Sequence, residues 1–423
     1  MNIVMLTNTF LPHVGGVARS VASFTDAFRQ RGHRVLVVAP TFRGTSVGRD
    51  SDVLRVPAIQ RFNGSDFSVR LPSLGLVSAA VAKFSPDVIH AHHPFLLGDT
   101  ALRLATSRNL PLVFTQHTMY ERYTHYVPGD SEPMRRFAIR LATEYANLCD
   151  HIIAPSRSIA KTIRERGVQA PVSVVPTGID PAGFARGDGQ AARERWGVPK
   201  DAFVVGHVGR LAAEKNLPFL VRAVGHFLQA CPGAHLAIVG AGPAEGEIRQ
   251  IAGTRGLADR VHLTGSLNGQ ALADAYHAMD VFAFASQTET QGMVLAEAMT
   301  AGVPVVAVDA PGVREVVRDG ENGRLLMSED EQAFAEAVAE IRESGEAGRK
   351  AMRAAALATA DAFSLDRCAE RALKVYDDAR QHPRRPRAVE DTAWTQTLRL
   401  LEGEWNLWTG RAEAAMRSLR EGL

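Results

Sequence analysis

Cysteine is scarce in this chain. Only Cys149, Cys231 and Cys368 occur in 423 residues, far apart and without metal-ligand spacing. A disulfide framework and a zinc ribbon are therefore excluded, and a reducing, cytoplasmic setting is expected. No apolar run reaches the roughly 18 residues that would cross a bilayer. Met1 to Phe10 has no basic segment before it and no small-residue cleavage site after it, so it reads as a buried first strand and not as a signal peptide. Neither glycine loop, Gly15-Gly16 or Gly240-Ala241-Gly242, completes the pattern G-x-G-x-x-G, which disfavours NAD and FAD. The one D-x-D string, Asp50-Ser51-Asp52, sits in a polar loop before a strand at Val53 and reads as surface, so neither a metal nor another cofactor is implied.

An excess of one charge is also missing: 48 Lys and Arg face 46 Asp and Glu. The balance hides an asymmetry. Residues 1–176 carry 20 basic and 12 acidic side chains, and the remainder 28 and 34. A basic first half suits an anionic membrane surface. Nucleic acid is not expected as a partner, because there is neither a recognition-helix pattern nor an aromatic–basic stacking array.

What is present is a long alternation of apolar strands and amphipathic helices. At 423 residues and 46% hydrophobic content the chain exceeds what one core needs, so two domains are expected. Asn2–Thr7, the loop with Gly15-Gly16, a helix from Ala18 to Gln30 and a strand Arg34–Ala39 form a βαβ unit. Strands at 87–92, 111–115, 151–154 and 172–175 continue the first half. The turn-rich Pro176-Thr177-Gly178-Ile179-Asp180-Pro181 marks the boundary, giving domains of 1–176 and 177–363. The second half repeats the alternation from Phe203 to Leu326. One helix is expected over 331–362, another over 366–380, and a helical extension over 381–423 with Trp394, Trp405 and Trp408. The extension either packs on the body or anchors at an interface.

The chain is organised around Glu289-Thr290-Gln291-Gly292-Met293-Val294-Leu295-Ala296-Glu297. It follows the apolar run Val281–Ala285 and opens a helix. Glu289 is expected in the strand-to-helix loop and Glu297 about two turns into the helix. Gly292 admits close backbone approach, and the free N–H groups of a helix start favour a phosphate. Such an element can hold the sugar hydroxyls, the diphosphate and the ribose of a nucleotide sugar. The plainer alternative is a pair of helix-start and surface carboxylates. Arg210 and Lys215 share one strand-end loop, where two cations can clamp a diphosphate, or be ordinary surface charges. Gly15 and Gly16 serve either a tight turn or a phosphate contact. His117 ends a strand beside polar residues, where open α/β sheets bind ligands; His92 and His93 are weaker candidates. Tyr120 to Tyr126 either lines an acceptor pocket or is a packed loop. The helix expected over 132–150 places Arg135, Arg136 and Arg140 off its apolar stripe, as a solvated face or a contact for anionic lipid.

In this order along one chain, Gly15-Gly16, His117, Pro176-Thr177-Gly178-Ile179-Asp180, Gly209-Arg210 with Lys215, Gly240-Ala241-Gly242-Pro243 and Glu289 to Glu297 resemble a family 4 retaining glycosyltransferase of the GT-B fold over about residues 1–380. The resemblance implies two Rossmann-like doubly wound domains facing a cleft, the helix of about 364–380 crossing back to the first. It implies that Arg210 and Lys215 hold the donor diphosphate, Glu289 the transferred sugar and Glu297 the ribose. Gly16 would approach the phosphate, and His117 would line the reaction centre. Gln116-His117-Thr118-Met119-Tyr120, Tyr123, His125, Tyr126 and Thr288 to Gly292 further resemble diacylglycerol glucosyltransferases, membrane-surface enzymes. The expected reaction is hexose transfer from a nucleotide diphosphate sugar, UDP-glucose favoured, to diacylglycerol, to another lipid such as phosphatidylinositol, or to a soluble sugar. The rivals are an epimerase of the same fold, an NAD-dependent oxidoreductase and a non-catalytic nucleotide-sugar or membrane-docking protein.

Overall fold

The computed structural model describes residues 1–13, 15–42, 52–59, 69–70, 74–122 and 131–382. Asp50, Tyr123, His125, Tyr126 and the extension from 383 onward lie outside them.

Valine, isoleucine and leucine runs with no polar alternation need cover on both faces, which parallel strands flanked by helices provide. Two such sheets form. The first has seven parallel strands, in the spatial order Val53–Val56, Arg34–Pro40, Asn2–Leu6, Val88–Ala91, Leu112–Thr115, His151–Ala154 and Val172–Val174. The second has six, in the order Val261–Gly265, Ala234–Val239, Phe203–Val208, Val281–Phe284, Val305–Val308 and Gly323–Leu326. In each sheet the strand order reverses beside the first strand of the half, Asn2–Leu6 or Phe203–Val208. That switch point opens a crevice at the carboxyl ends of the strands.

The helix Leu365–Gln381 packs on the first sheet although it follows the second in sequence. Cys368, Ala369, Ala372, Val375, Tyr376 and Ala379 form its buried stripe against Ile3, Val21, Phe28 and Val35. Tyr376 is fully buried. A ring of this size removes roughly 200 Å² from water, on the order of 5 kcal/mol before entropy is charged. The two connections between the halves touch: the Ile179 N–H donates to the Phe363 carbonyl at 3.0 Å, and the Leu365 N–H to the Ile179 carbonyl at 2.7 Å. A Cβ on Gly178 would lie 2.3 Å from the Leu365 Cα, so only glycine allows this contact.

Some expectations need correction. The single helix expected over 331–362 is two, Glu331–Glu343 and Gly345–Ala362. Gly345, the first residue of the second, takes φ +69°, a left-handed conformation that breaks the run after Ser344. Three helices go beyond those expected from sequence: Leu74–Phe84, Leu97–Ser107 and Gly189–Trp196, the last between the boundary turn and the strand at Phe203.

Candidate functional site

The strand Val281–Phe284 is buried in the middle of the second sheet, and its end leads into the loop that carries Glu289. Gly292 closes this loop in the left-handed region, φ +70°, and the helix Met293–Thr300 starts there with no side-chain cap and no acid in its first turn. The Leu295 N–H donates to the Gly292 carbonyl at 3.0 Å; the N–H groups ahead of it are left to a ligand or to water. Glu297 is only about one turn into this helix, not two, because the helix begins at Met293. It is almost fully buried, and both carboxylate oxygens are engaged. Oε2 accepts the Tyr276 hydroxyl at 2.7 Å, and Oε1 accepts Nη1 of Arg19 at 3.0 Å. Burial, with the adjacent Glu297 charge, pushes the Tyr276 hydroxyl well above its usual pKa, so it stays a donor.

Lys215 pairs with Glu289, and Arg210 with Glu214. The Ser286 hydroxyl donates to the Glu214 carbonyl at 3.0 Å, which ties this cationic turn to the end of the strand that leads to Glu289. Residues 210, 215 and 289 are therefore brought together, with each charge already met by an opposite one. Beneath them lies His207. Its Nδ1–H donates to the Ala283 carbonyl at 3.0 Å, and burial lowers its pKa to about 4. Gly240 and Gly242 serve packing: a Cβ on either would fall 1.8 Å from the Gly209 carbonyl oxygen or 2.3 Å from the Leu211 one.

Gln291 is drawn elsewhere. Its Oε1 accepts the Thr177 N–H at 2.6 Å and its Nε2 donates to the Thr177 carbonyl at 2.5 Å. The buried amide thus clamps the chain crossing, and the Thr177 hydroxyl is held in turn by Ser20 at 2.9 Å. Thr290 is half-buried, with its backbone packed against Gly312.

On the first sheet, Gly15 is extended and the helix Gly16–Gln30 begins there without a side-chain cap. The space that a Cβ on Gly16 would occupy is empty to 4 Å. His90, His92, His93 and His117 gather at neighbouring strand ends. His92 Nδ1 lies 2.9 Å from His117 Nε2, and the His90 and His92 ring centroids are 4.0 Å apart. Burial lowers His90, His93 and His117 to about 3, so these rings are neutral near pH 7. The buried Tyr120 hydroxyl has no partner among the described residues, and its ring lies edge-on to Phe95. Among those residues no group of His, Cys, Asp and Glu is arranged to hold a metal ion.

The two halves touch around this site. Arg122 Nη1 donates to the Gln287 carbonyl at 2.5 Å. Glu315 accepts the Arg157 and Ser158 N–H groups at 2.6 and 2.5 Å, which places a carboxylate of the second half on a helix start of the first. Farther out, on the helix Glu132–Asn147, Arg135, Arg136 and Arg140 are exposed; Arg136 pairs with Glu132 at 3.6 Å and Arg140 with Glu144 at 2.6 Å. No described helix is long and apolar enough to cross a membrane.

Of these contacts, Arg19, Tyr276 and Glu315 carry no sequence expectation, and Thr177 is expected only as part of the turn between the halves. Arg19 had one available signal: it is a cation in the first turn of the helix after Gly15-Gly16, where the helix dipole favours an anion.

Two family models match the chain one after the other: Glycosyltransferase Family 4 over residues 14–182, and Glycosyl transferases group 1 over 188–358. The Acholeplasma laidlawii alpha-monoglucosyldiacylglycerol synthase is 28% identical over 346 residues, 78% of this chain and 86% of that protein. The GDP-mannose-dependent alpha-mannosyltransferase of Mycolicibacterium smegmatis is 32% identical over 365 residues, 84% and 93% of the two chains. Among solved structures, Anabaena HepE in complex with UDP-glucose superposes with a TM-score of 0.71 at 22% identity, over 89% of this chain and all of that one. This last likeness shows the fold.

Proposed function

The chain belongs to glycosyltransferase family 4, with the GT-B fold, and from that premise we propose that it transfers glucose from UDP-glucose to the hydroxyl of diacylglycerol at a membrane surface, with retention at the anomeric carbon. For the donor, the observation that carries this reading is the Lys215–Glu289 pair beside Arg210 and the uncapped helix start at Gly292. For the acceptor it is the similarity to two alpha-monoglucosyldiacylglycerol synthases, at 28% and 26% identity over 78% and 79% of the chain.

The chemistry follows from exchange of ion pairs. A diphosphate entering between Lys215, Arg210 and the helix start brings negative charge that competes with the carboxylates these cations already pair with. Lys215 turns from Glu289 to phosphate, and Glu289 is released to the sugar hydroxyls. Glu297 takes the ribose hydroxyls. The bond from the anomeric carbon to the phosphate oxygen breaks, and the acceptor oxygen bonds to that carbon on the same face. The acceptor proton passes to the departing phosphate oxygen. No second carboxylate is required, unlike the paired acids of a double displacement. Arg210, Lys215 and the helix start contribute by stabilising the charge that grows on the leaving diphosphate. The Gly16 helix start approaches the phosphate from the other half.

A second donor has its own support. The GDP-mannose-dependent enzymes of Mycolicibacterium smegmatis and Mycobacterium tuberculosis are 32% and 31% identical over 84% and 81% of this chain, more than the synthases are. The test is a panel of UDP- and GDP-sugars, each offered with diacylglycerol in anionic vesicles, with soluble sugars, and alone. Glucose on lipid from UDP-glucose supports the proposal. Mannose transfer from GDP-mannose overturns the donor, and transfer only to soluble sugars overturns the acceptor. Isomerised donor without any acceptor would indicate an epimerase.

A further inference from the structure

The four clustered histidines do not use their nitrogens alike. His90 is satisfied twice: Nδ1 meets the Tyr376 hydroxyl and Nε2 the Thr115 hydroxyl, both at 2.7 Å. His93 accepts the Asn8 N–H on Nδ1 at 3.1 Å. His92 and His117 share one contact, Nδ1 to Nε2 at 2.9 Å. The remaining nitrogen of His92, Nε2, is sealed from solvent, the residue being 1% exposed, and has no partner among the described residues.

Two neutral imidazoles in contact share one hydrogen, so one nitrogen donates and the other accepts. Suppose His117 donated from Nε2. His92 Nδ1 would be the acceptor, and its own hydrogen would sit on Nε2. That would be a buried N–H with nothing among the described residues to receive it, the rarer kind of orphan in folded proteins. Suppose instead that His92 donates from Nδ1. Its Nε2 then holds only a lone pair, and His117 must carry its hydrogen on Nδ1.

We propose that His92 is a positioning residue that donates from Nδ1 to Nε2 of His117 and so fixes His117 as an Nδ1–H donor. The inference rests on the placing of His117 at the reaction centre. It deepens that reading, because His117 then has no nitrogen free to accept a proton: Nε2 is occupied and Nδ1 is already protonated. His117 can donate a hydrogen bond to a hydroxyl oxygen of donor or acceptor, and it cannot be the base. The acceptor proton is left to the departing phosphate oxygen. Rigidity comes from behind: the His90 ring packs against His92 at a tilt of 40° and is itself held by Tyr376, from the helix Leu365–Gln381 that crosses back from the second half.

The test begins with the resting, full-length protein. Histidine labelled with ¹⁵N reports its tautomer through two-bond ¹H–¹⁵N correlations at pH 7.5, with the His92→Asn and His117→Asn spectra assigning the two rings. Both His92 and His117 should appear as the Nδ1–H form, which is the minority form of a free neutral histidine. In the transfer assay, His92→Leu should lower kcat about tenfold, the worth of one hydrogen bond, with the donor KM unchanged. His92→Asn, whose amide nitrogen can replace Nδ1 as donor, should restore most of that loss. His117 protonated on Nε2, or full kcat in His92→Leu, overturns the proposal. Full kcat in His117→Ala sinks the placing of His117 at the reaction centre, a result that the tautomer spectrum does not depend on. If His92→Leu does not fold, the wild-type spectrum and His92→Asn still decide.

Discussion

Nη1 of Arg19 lies 3.0 Å from Oε1 of Glu297, joining residues 278 positions apart and a helix of each half, Gly16–Gln30 and Met293–Thr300. Arg19 is about half exposed, at 47%, while Glu297 is 2% exposed. If Glu297 receives the ribose, Arg19 occupies one of its oxygens first and must leave. Replacing Arg19 by Ala should therefore tighten binding of UDP or GDP. A half-exposed pair is worth up to about 1 kcal/mol, so the gain is at most about fivefold. Calorimetric titration checks this; weaker binding in the variant would mean that Arg19 itself contacts the nucleotide.

Glu297 serves Tyr276 as well as any ligand, and substitutions can separate the two roles. In Glu297→Ala the buried Tyr276 hydroxyl loses its acceptor, which costs about 1–3 kcal/mol. Glu297→Gln retains a carbonyl oxygen for that hydroxyl but loses the charge. Both variants should lose nucleotide-sugar affinity, and only the alanine variant should also show a clearly lower urea midpoint. A stable alanine variant would show that the tyrosine hydroxyl finds another partner.

The histidine cluster predicts acid sensitivity of known sign. Burial depresses the folded pKa values of His90, His93 and His117 from the ordinary 6.5 to about 3. Between those values the unfolded chain binds more protons than the folded one. Stability is therefore full above pH 6.5 and is lost as pH falls toward 3, at up to about 1.4 kcal/mol per pH unit for each ring. The denaturation midpoint should be flat from pH 7 to 8 and drop steeply between 6 and 4.5. A flat profile across that lower range would show that these rings are not held neutral.

The three exposed arginines of the helix Glu132–Asn147 are predicted to carry membrane affinity. Changing Arg135, Arg136 and Arg140 together to Glu should reduce binding to anionic vesicles, with each basic residue worth about 1 kcal/mol at such a surface. The pairing of Arg136 and Arg140 with Glu132 and Glu144 lowers the positive charge of this face, so the loss should fall short of the full three-residue value. Vesicle co-sedimentation at low and high salt is the measurement, and unchanged binding would remove this helix from the membrane contact.

Much of the architecture was legible because its signals are local. Unbroken Val and Ile runs favour covered parallel strands, and those of the two large sheets lie where the runs do, from Asn2 to Leu326, with small shifts at the ends; the short antiparallel pair Ala58–Ile59 and Val69–Arg70 carries no such run. The break at Gly345 was missed because glycine in an alanine-rich helix does not show its φ in the sequence. Leu97–Ser107 was passed over although Asp99 and Arg103 pair one turn apart on it, at 3.1 Å. At the site, the acidic stretch and the cationic loop could be chosen by residue type and spacing. Gln291 could not be placed that way, since an amide before a helix looks the same whether it meets a ligand or, as here, the backbone of Thr177.

The sequence by itself determined the two parallel sheets, the glycine-opened helix starts and the charged residue types of the candidate site, because periodicity, turn chemistry and charge act over a few residues. Only the tertiary structure decided which groups meet: Arg19 with Glu297, Gln291 with Thr177, His92 with His117, and Tyr376 with His90. Each of these pairs spans 25 to 286 positions. Such contacts depend on how strand ends and helix starts from separate parts of the chain are stacked, and the burial that this stacking produces is what holds the rings neutral and the carboxylate in place.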